Sequence, residues 1–149
     1  MHISRHFTLA EQTRTSQPFP NKPADADIAR LRTLCQFVLE PIREYFGPVR
    51  VNSAFRSLKV NRAVGSKDGS QHRLGEAADI EVDGVPNAVL AHWIVDNLPF
   101  DQVILEAYRP GLPGSGWVHV SYRAGRLRHD VLTMALGSHG PVYRRGLLA

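Results

Sequence analysis

Residues 70–82 are Ser-Gln-His-Arg-Leu-Gly-Glu-Ala-Ala-Asp-Ile-Glu-Val, a polar turn that leads into a short β-strand. Alternation along this strand separates two sets of residues, Ala77, Asp79 and Glu81 on one face and Ala78, Ile80 and Val82 on the other. A carboxylate in the middle of such a strand needs a nearby cation, because an unpaired buried charge is costly. His72 is close enough in the chain to bind the same cation as Asp79.

A second predicted strand supplies another candidate ligand. Residues 117–122 are Trp-Val-His-Val-Ser-Tyr, and alternation places His119 on one face with Trp117 and Ser121. If the two strands are neighbours, Asp79 and His119 meet across the ladder. Two imidazoles and one carboxylate leave a tetrahedral zinc ion with one open position, which is typical of a catalytic site. The residues therefore indicate a zinc hydrolase.

The same residues also admit a purely structural interpretation. His72 could cap a loop, Asp79 could pair with an arginine, and His119 could be a hydrogen-bonded histidine of the sheet. A histidine and an aspartate seven residues apart occur by chance in many chains, so the spacing alone leaves both interpretations open.

Composition bounds the class of protein. The chain has 149 residues, of which 43% are hydrophobic and 21% charged, as expected for one soluble globular domain. It contains no apolar run near the ~20 residues that a membrane span requires, so we expect no membrane insertion. The formal charge of +4 favours anionic partners, but the arginines are scattered and no basic helix supports a nucleic-acid binder. The single Cys35 lies in an apolar helical segment and predicts a core thiol.

Hydrophobic periodicity predicts an α+β fold with a small, largely antiparallel sheet and helices packed on it. A long core helix is predicted over 27–46, where Pro41 kinks or divides it. The other predicted elements are strands over 49–55, 77–82, 100–107 and 117–122 and helices over 58–64 and 87–98. Residues 1–25 are predicted to form an N-terminal arm, with a turn capped by Thr8, and residues 137–149 a C-terminal tail.

Five segments of the chain are similar, in the same order, to segments of one enzyme family. They are Ser-Ala-Phe-Arg-Ser (53–57), Val-Asn-Arg-Ala-Val-Gly (60–65), Ser-Gln-His-Arg-Leu-Gly-Glu-Ala-Ala-Asp-Ile (70–80), Phe-Asp-Gln-Val-Ile-Leu-Glu (100–106) and Trp-Val-His-Val-Ser-Tyr (117–122). Through them the chain resembles the M15 zinc D-alanyl-D-alanine peptidases, in particular the branch of bacteriophage lysins and bacterial envelope enzymes. The resemblance implies a Hedgehog/DD-peptidase-like fold with zinc bound by His72, Asp79 and His119.

The resemblance also implies catalytic roles. In the family the arginine that corresponds to Arg56 neutralises the substrate carboxylate or the developing oxyanion. Several members have an acidic residue three positions before the second zinc histidine, where this chain has Gly116. Glu106, which ends its segment as the family's glutamate does, is the first candidate for the general base. Glu76 and Glu81 are second choices.

Three of these assignments have alternatives. Glu106 could simply pair with Arg109 or Arg123. Ser53 and Gln71 could hydrogen-bond the substrate or orient a zinc ligand, and they could equally support the loop.

The resemblance implies a zinc metallopeptidase that cleaves peptide stems of bacterial peptidoglycan, at a D-alanyl-D-alanine terminus or at a crosslink. We expect the protein to be a monomer. We also expect it to be made in the cytoplasm, since the N-terminus lacks the apolar core of a secretory signal. Action at the cell wall then fits a phage lysin released through a separate pore. The alternative is an inactive, zinc-containing domain that binds the envelope or forms part of a phage, because Gly116 cannot accept a proton.

Overall fold

The computed structural model describes residues 1–149 and contains one sheet of six strands. The strands are β1 (Arg50–Ser53), β2 (Ala77–Glu81), β3 (Gln102–Glu106), β4 (Trp117–Ser121), β5 (Asp130–Gly137) and β6 (Gly140–Arg145). The helices are α1 (Leu9–Gln12), α2 (Asp25–Leu34), α3 (Glu40–Phe46), α4 (Leu58–Ala63) and α5 (Asn87–Asn97), with a π-helical segment at Cys35–Leu39 and a 3₁₀ turn at Gln71–Leu74. None of these helices combines the length and the apolar character that crossing a bilayer demands.

The strand order is β1-β2-β4-β3-β5-β6. All neighbouring strands are antiparallel except β3 and β5, which are parallel. The predicted α+β fold with a largely antiparallel sheet is therefore confirmed. The four predicted strands and the helices at 58–64 and 87–98 are also confirmed, with differences of at most two residues at their ends.

The sheet has one apolar face and one polar face. The apolar face is fully buried in the core, and its residues are Ala78, Ile80, Val103, Leu105, Val118 and Val120. Because side chains alternate along each strand, the opposite face presents Asp79, His119 and Glu106. The helices cover the apolar face, so the polar face is available for a functional site.

The main helix runs through Pro41, but its regular α-helical hydrogen bonding is interrupted just before that residue. Proline has no N–H and its ring collides with the carbonyl four residues earlier, so a regular α-helix does not accommodate it here. The chain instead widens into the π-helical segment at residues 35–39, and α3 begins directly before Pro41. The predicted interruption is confirmed, and it takes the form of a π-helical segment. Cys35 in this segment is a core thiol as predicted, and burial raises its pKa to about 12.

The N-terminal residues pack beside the loop that follows β1. The Thr8 hydroxyl accepts the Glu11 N–H at 3.2 Å, and the Glu11 carboxylate accepts the Thr8 N–H at 3.1 Å, as the predicted cap requires. Further along, the Asn21 amide donates to the Phe55 carbonyl at 2.9 Å and its oxygen accepts the Ser57 N–H at 2.7 Å. These bonds hold the loop that contains Arg56.

The C-terminal residues complete the sheet. Residues 140–145, within the segment predicted as a tail, form β6 and pair antiparallel with β5. The apolar stretch before them forms β5, which pairs in parallel with β3. The local sequence of β6 is too polar to indicate a strand by itself. The backbone of β6 forms a strand because it pairs with β5 beside it.

Candidate active site

The two predicted strands bring Asp79 and His119 together. β2 and β4 are antiparallel neighbours, and Asp79 lies directly opposite His119. His72 comes from the 3₁₀ turn, which ends at Gly75 with a φ of +74°. A Cβ at Gly75 would lie 2.6 Å from the Asp27 carbonyl oxygen, so the turn needs glycine to reach its position over the sheet.

The side chains of His72, Asp79 and His119 converge on one point. Asp79 Oδ1 lies 3.3 Å from His72 Nε2 and 3.1 Å from His119 Nδ1. All three residues are buried, with at most 8% of their surface exposed. His72 Nδ1 donates to the Ala54 carbonyl at 2.7 Å, so a neutral ring presents the lone pair of Nε2 to this point.

This donor set fits a zinc ion. Two imidazole nitrogens and a carboxylate oxygen suit zinc, and ligands about 2.1 Å from a tetrahedral ion lie roughly 3.4 Å from one another. The observed separations of 3.1 and 3.3 Å agree with that spacing. Unless a cation or a proton lies between them, the lone pair of His72 Nε2 and the Asp79 oxygen would repel each other. The structure thus contains a buried group that could bind a metal.

The charge on Asp79 is stabilised by its surroundings. Burial alone would raise the pKa of Asp79, but His72 and His119 outweigh it and hold the pKa well below its ordinary range. Asp79 Oδ2 also accepts a hydrogen bond from Arg56 Nη2 at 3.1 Å. The alternative interpretation, in which Asp79 pairs with an arginine, therefore holds for one carboxylate oxygen, while the other faces the two rings.

Arg56 is fixed at the edge of the site by three hydrogen bonds. Nε donates to Ser53 Oγ at 3.0 Å, Nη1 donates to Ser66 Oγ at 3.1 Å, and Nη2 donates to Asp79. A guanidinium group has five N–H donors, so two remain without a protein partner. Arg56 lines the cleft above the three converging residues, where these donors can meet a ligand.

Glu106 lies in the same cleft and has no counter-ion. It ends β3 opposite Trp117, and it lines a cavity of about 580 Å³ together with Arg56 and the three converging residues. It forms no salt bridge with Arg109 or Arg123, the two partners considered from the sequence. Arg123 binds Glu76 instead, at 2.9 Å. Burial raises the pKa of Glu106, against the smaller opposing effect of His119. This carboxylate is therefore available to exchange protons.

The sequence profile described as Peptidase M15 matches residues 5–121, which is most of the chain and includes Arg56, Glu106 and the three converging residues. The chain belongs to the peptidase M15 family. It is thus a member of a metallopeptidase family, as its resemblance implied, and its buried His-Asp-His group lies within the matched residues. No curated protein matches the sequence. The M15 match ends with β4, so β5 and β6 lie beyond it.

The position at which several M15 members have an acid cannot hold one here. Gly116 has a φ of +72°, and a Cβ at this residue would lie 1.7 Å from the Glu106 carbonyl oxygen. The backbone of β4 therefore approaches β3 so closely that only glycine fits. In this member of the M15 family, Glu106 of the neighbouring strand places a carboxylate in the cleft.

Replacing Gly116 by alanine is expected to lower the melting temperature strongly, because β3 and β4 must separate locally to admit the methyl group. Gly84 is a matched control, with a φ of +80° and open space around its Cβ position. Gly84→Ala is expected to cost only the backbone strain of about 1 kcal/mol. Thermal unfolding of both variants checks this. Equal shifts in melting temperature would contradict the predicted steric conflict.

The second-choice carboxylates lie in other networks. The Glu76 carboxylate binds the Arg123 guanidinium, and Glu81 accepts hydrogen bonds from Arg50, Asn52 and Asn87. Neither residue lines the cleft. Most of their partners come from distant parts of the chain. Sequence alone therefore could not show that Glu76 and Glu81 lie outside the cleft and Glu106 inside it.

Gln71 lines the cleft, and its amide is already engaged within the protein. Its Nε2 donates to Asp101 Oδ2 at 3.0 Å, and its Oε1 accepts from Arg128 at 3.4 Å. Arg128 also binds Asp101 through both its backbone and its guanidinium group. These contacts support the loop and do not reach the His72 ring.

Tyr143 is a residue of the cleft that sequence analysis missed. It belongs to β6 and lines the cavity beside Trp117, Ile104 and Arg128. No local pattern indicates this position, because Tyr143 reaches the cleft only through the pairing of β3 with β5 and of β5 with β6.

Proposed function

We propose that this protein is a zinc-dependent peptidase that hydrolyses peptide bonds in the stems of bacterial peptidoglycan. The observation that carries the proposal is the buried convergence of His72, Asp79 and His119 beneath a cleft that also contains a carboxylate without a counter-ion. Membership of the M15 family supports the reaction class. The peptidoglycan substrate follows from the resemblance to D-alanyl-D-alanine peptidases.

The three converging residues would hold the zinc ion, and each has a support. The Ala54 carbonyl orients His72, Arg56 binds the second oxygen of Asp79, and His119 is held in β4 between two neighbouring strands. A zinc ion at this point would polarise the scissile carbonyl and make a water molecule more acidic.

Glu106 is the proposed general base. Its carboxylate would take the proton of the attacking water and deliver it to the departing amine. The remaining N–H donors of Arg56 would bind the oxygen that gains negative charge, or a carboxylate of the substrate. Ser53 acts on the substrate indirectly in this scheme, because its hydroxyl holds the Arg56 guanidinium.

We further propose that the protein acts at the bacterial cell wall, as a lysin of phage or prophage origin. Peptidoglycan stems are accessible there and contain the D-alanyl peptide bonds that the family resemblance implies. The net charge of +4 supports attraction to the anionic polymers of the envelope.

Digestion of purified sacculi tests the proposal. The protein should release fragments with a new amino terminus and a new carboxyl terminus, which mass spectrometry assigns to one stem bond. A chelator should stop release, and added zinc should restore it. Sacculi that bind the zinc-loaded protein but release no fragment would contradict the proposal and identify the alternative, an inactive envelope-binding domain.

A further inference from the structure

The cleft does not end at the proposed catalytic residues. A groove of about 890 Å³ continues from it and shares Ser66, Gln102, Ile104 and Tyr143 with the catalytic cavity. The groove is larger than the cavity of about 580 Å³ that contains the converging ligands. A substrate bound at the catalytic residues therefore has room to continue along the sheet.

One side of the groove is a loop that is fixed to α4. The side chain of Asn61 is fully buried and donates to the Lys67 carbonyl at 2.8 Å, and the Ser66 N–H donates to the Asn61 carbonyl at 3.1 Å. On the outer side, Arg62 binds Asp68 at 2.7 Å. The loop is thus held in place, while Lys67 is an exposed residue of the groove lining and forms no ion pair.

The other side of the groove is the C-terminal hairpin of β5 and β6, which lies beyond the residues matched by the family profile. Ile104 of β3 pairs with Leu132 of β5, and Tyr143 of β6 pairs with Met134 of β5. Directly paired residues point to the same face, so the hairpin extends the face that bears His119. Leu132, Pro141 and Tyr143 give this side an apolar surface.

We propose that this groove is a substrate subsite for a peptide chain that continues beyond the scissile bond. The apolar surface suits small aliphatic side chains, and the unpaired ammonium of Lys67 suits a free carboxylate on that chain. Tyr143, which is 52% exposed, provides a flat contact at the junction with the catalytic cavity. The protein is therefore an endopeptidase that binds stem residues on both sides of the cleaved bond. This inference rests on the proposed function and names the substrate class of the same site.

Two synthetic peptides that share the bond identified in the sacculus digest test the subsite. The short peptide has one residue on each side of that bond, and the long peptide has the full stem on both sides. Tyr143→Ala should raise KM for the long peptide by about tenfold, and Lys67→Gln by about threefold. Lys67→Gln should leave kcat and KM for the short peptide unchanged. Tyr143 also borders the catalytic cavity, so Tyr143→Ala is judged by the ratio of the two KM values, and KM should rise more for the long peptide than for the short one.

Two control variants match these changes outside the groove. Val142 precedes Tyr143 on β6 with its side chain on the opposite face, and Lys59 is an exposed lysine of α4. Val142→Ala and Lys59→Gln should leave both KM values within about twofold of the parent. Equal effects of Tyr143→Ala on the short and long peptides, or no effect on the long one, would overturn the inference.

Binding of a crosslinked stem peptide, which can be chosen before any cleaved bond is identified, to chelator-treated protein gives a second measurement that needs no turnover. Isothermal titration should show weaker binding for Tyr143→Ala and Lys67→Gln than for their controls. If sacculi are not cleaved but these binding differences appear, the proposed function fails and the subsite stands. If cleavage occurs and the differences are absent in both assays, the subsite fails alone.

Discussion

His72→Ala is expected to remove bound zinc and to reduce hydrolysis below detection. The variant deletes one of the two imidazole nitrogens that lie within 3.3 Å of Asp79 Oδ1, and a site with two protein ligands no longer holds the ion firmly. Metal content by plasma emission spectroscopy measures the loss directly. Thermal unfolding gives a second measurement, because added zinc should raise the melting temperature of the parent protein and leave that of the variant unchanged.

His139→Ala is the control for this change. His139 is an exposed histidine between β5 and β6, and it has no hydrogen-bond or ion-pair partner. The His139→Ala variant should keep both zinc and activity.

Because His72→Ala also leaves the buried Ala54 carbonyl without its donor, we expect this variant to lose about 1–3 kcal/mol of folding stability in addition. Full zinc occupancy in a folded His72→Ala protein would refute the ligand assignment.

Glu106→Gln is expected to keep zinc and lower kcat by roughly 10²–10⁴-fold. The amide has almost the same shape as the carboxylate but cannot accept the proton of the attacking water. Since Glu106 forms no salt bridge, its replacement breaks no ion pair, and the melting temperature should stay near that of the parent. Steady-state kinetics on the short peptide, together with metal content, separate the chemical effect from loss of zinc.

Glu81→Gln is a matched control on β2. The Glu81 carboxylate binds Arg50, Asn52 and Asn87 and does not line the cleft, so the same chemical change should leave kcat within about twofold. If Glu106→Gln retained the parent's kcat, the general base would have to be another group. A glutamine variant that lost zinc would show that Glu106 supports the metal.

The convergence of the three candidate metal ligands could be predicted closely from the sequence. Alternation along two short strands placed Asp79 and His119 on faces that can meet, and the structure pairs them directly. His72 was identified from its position in the turn before β2. These predictions succeeded because strand alternation is a local property of the backbone, and it holds wherever the strand lies in the sheet.

The candidate for the general base was harder to choose, because several carboxylates were equivalent in the sequence. The ion pair between Glu76 and Arg123 joins residues 47 positions apart, and the contact between Gly116 and the Glu106 carbonyl depends on how closely two strands approach. Neither feature has a local signature. Only the tertiary structure showed that one carboxylate lies in the cleft without a counter-ion.

The amino-acid sequence by itself determined the α+β class, the core helix through Pro41 and the three converging metal-ligand candidates. Each of these follows from periodicity or from a short motif. The tertiary structure decided that Glu106 enters the cleft and that the C-terminal hairpin lengthens it through Tyr143. Strand order and the parallel pairing of β3 with β5 depend on which backbones meet when the core is buried, and that choice involves residues far apart in the chain.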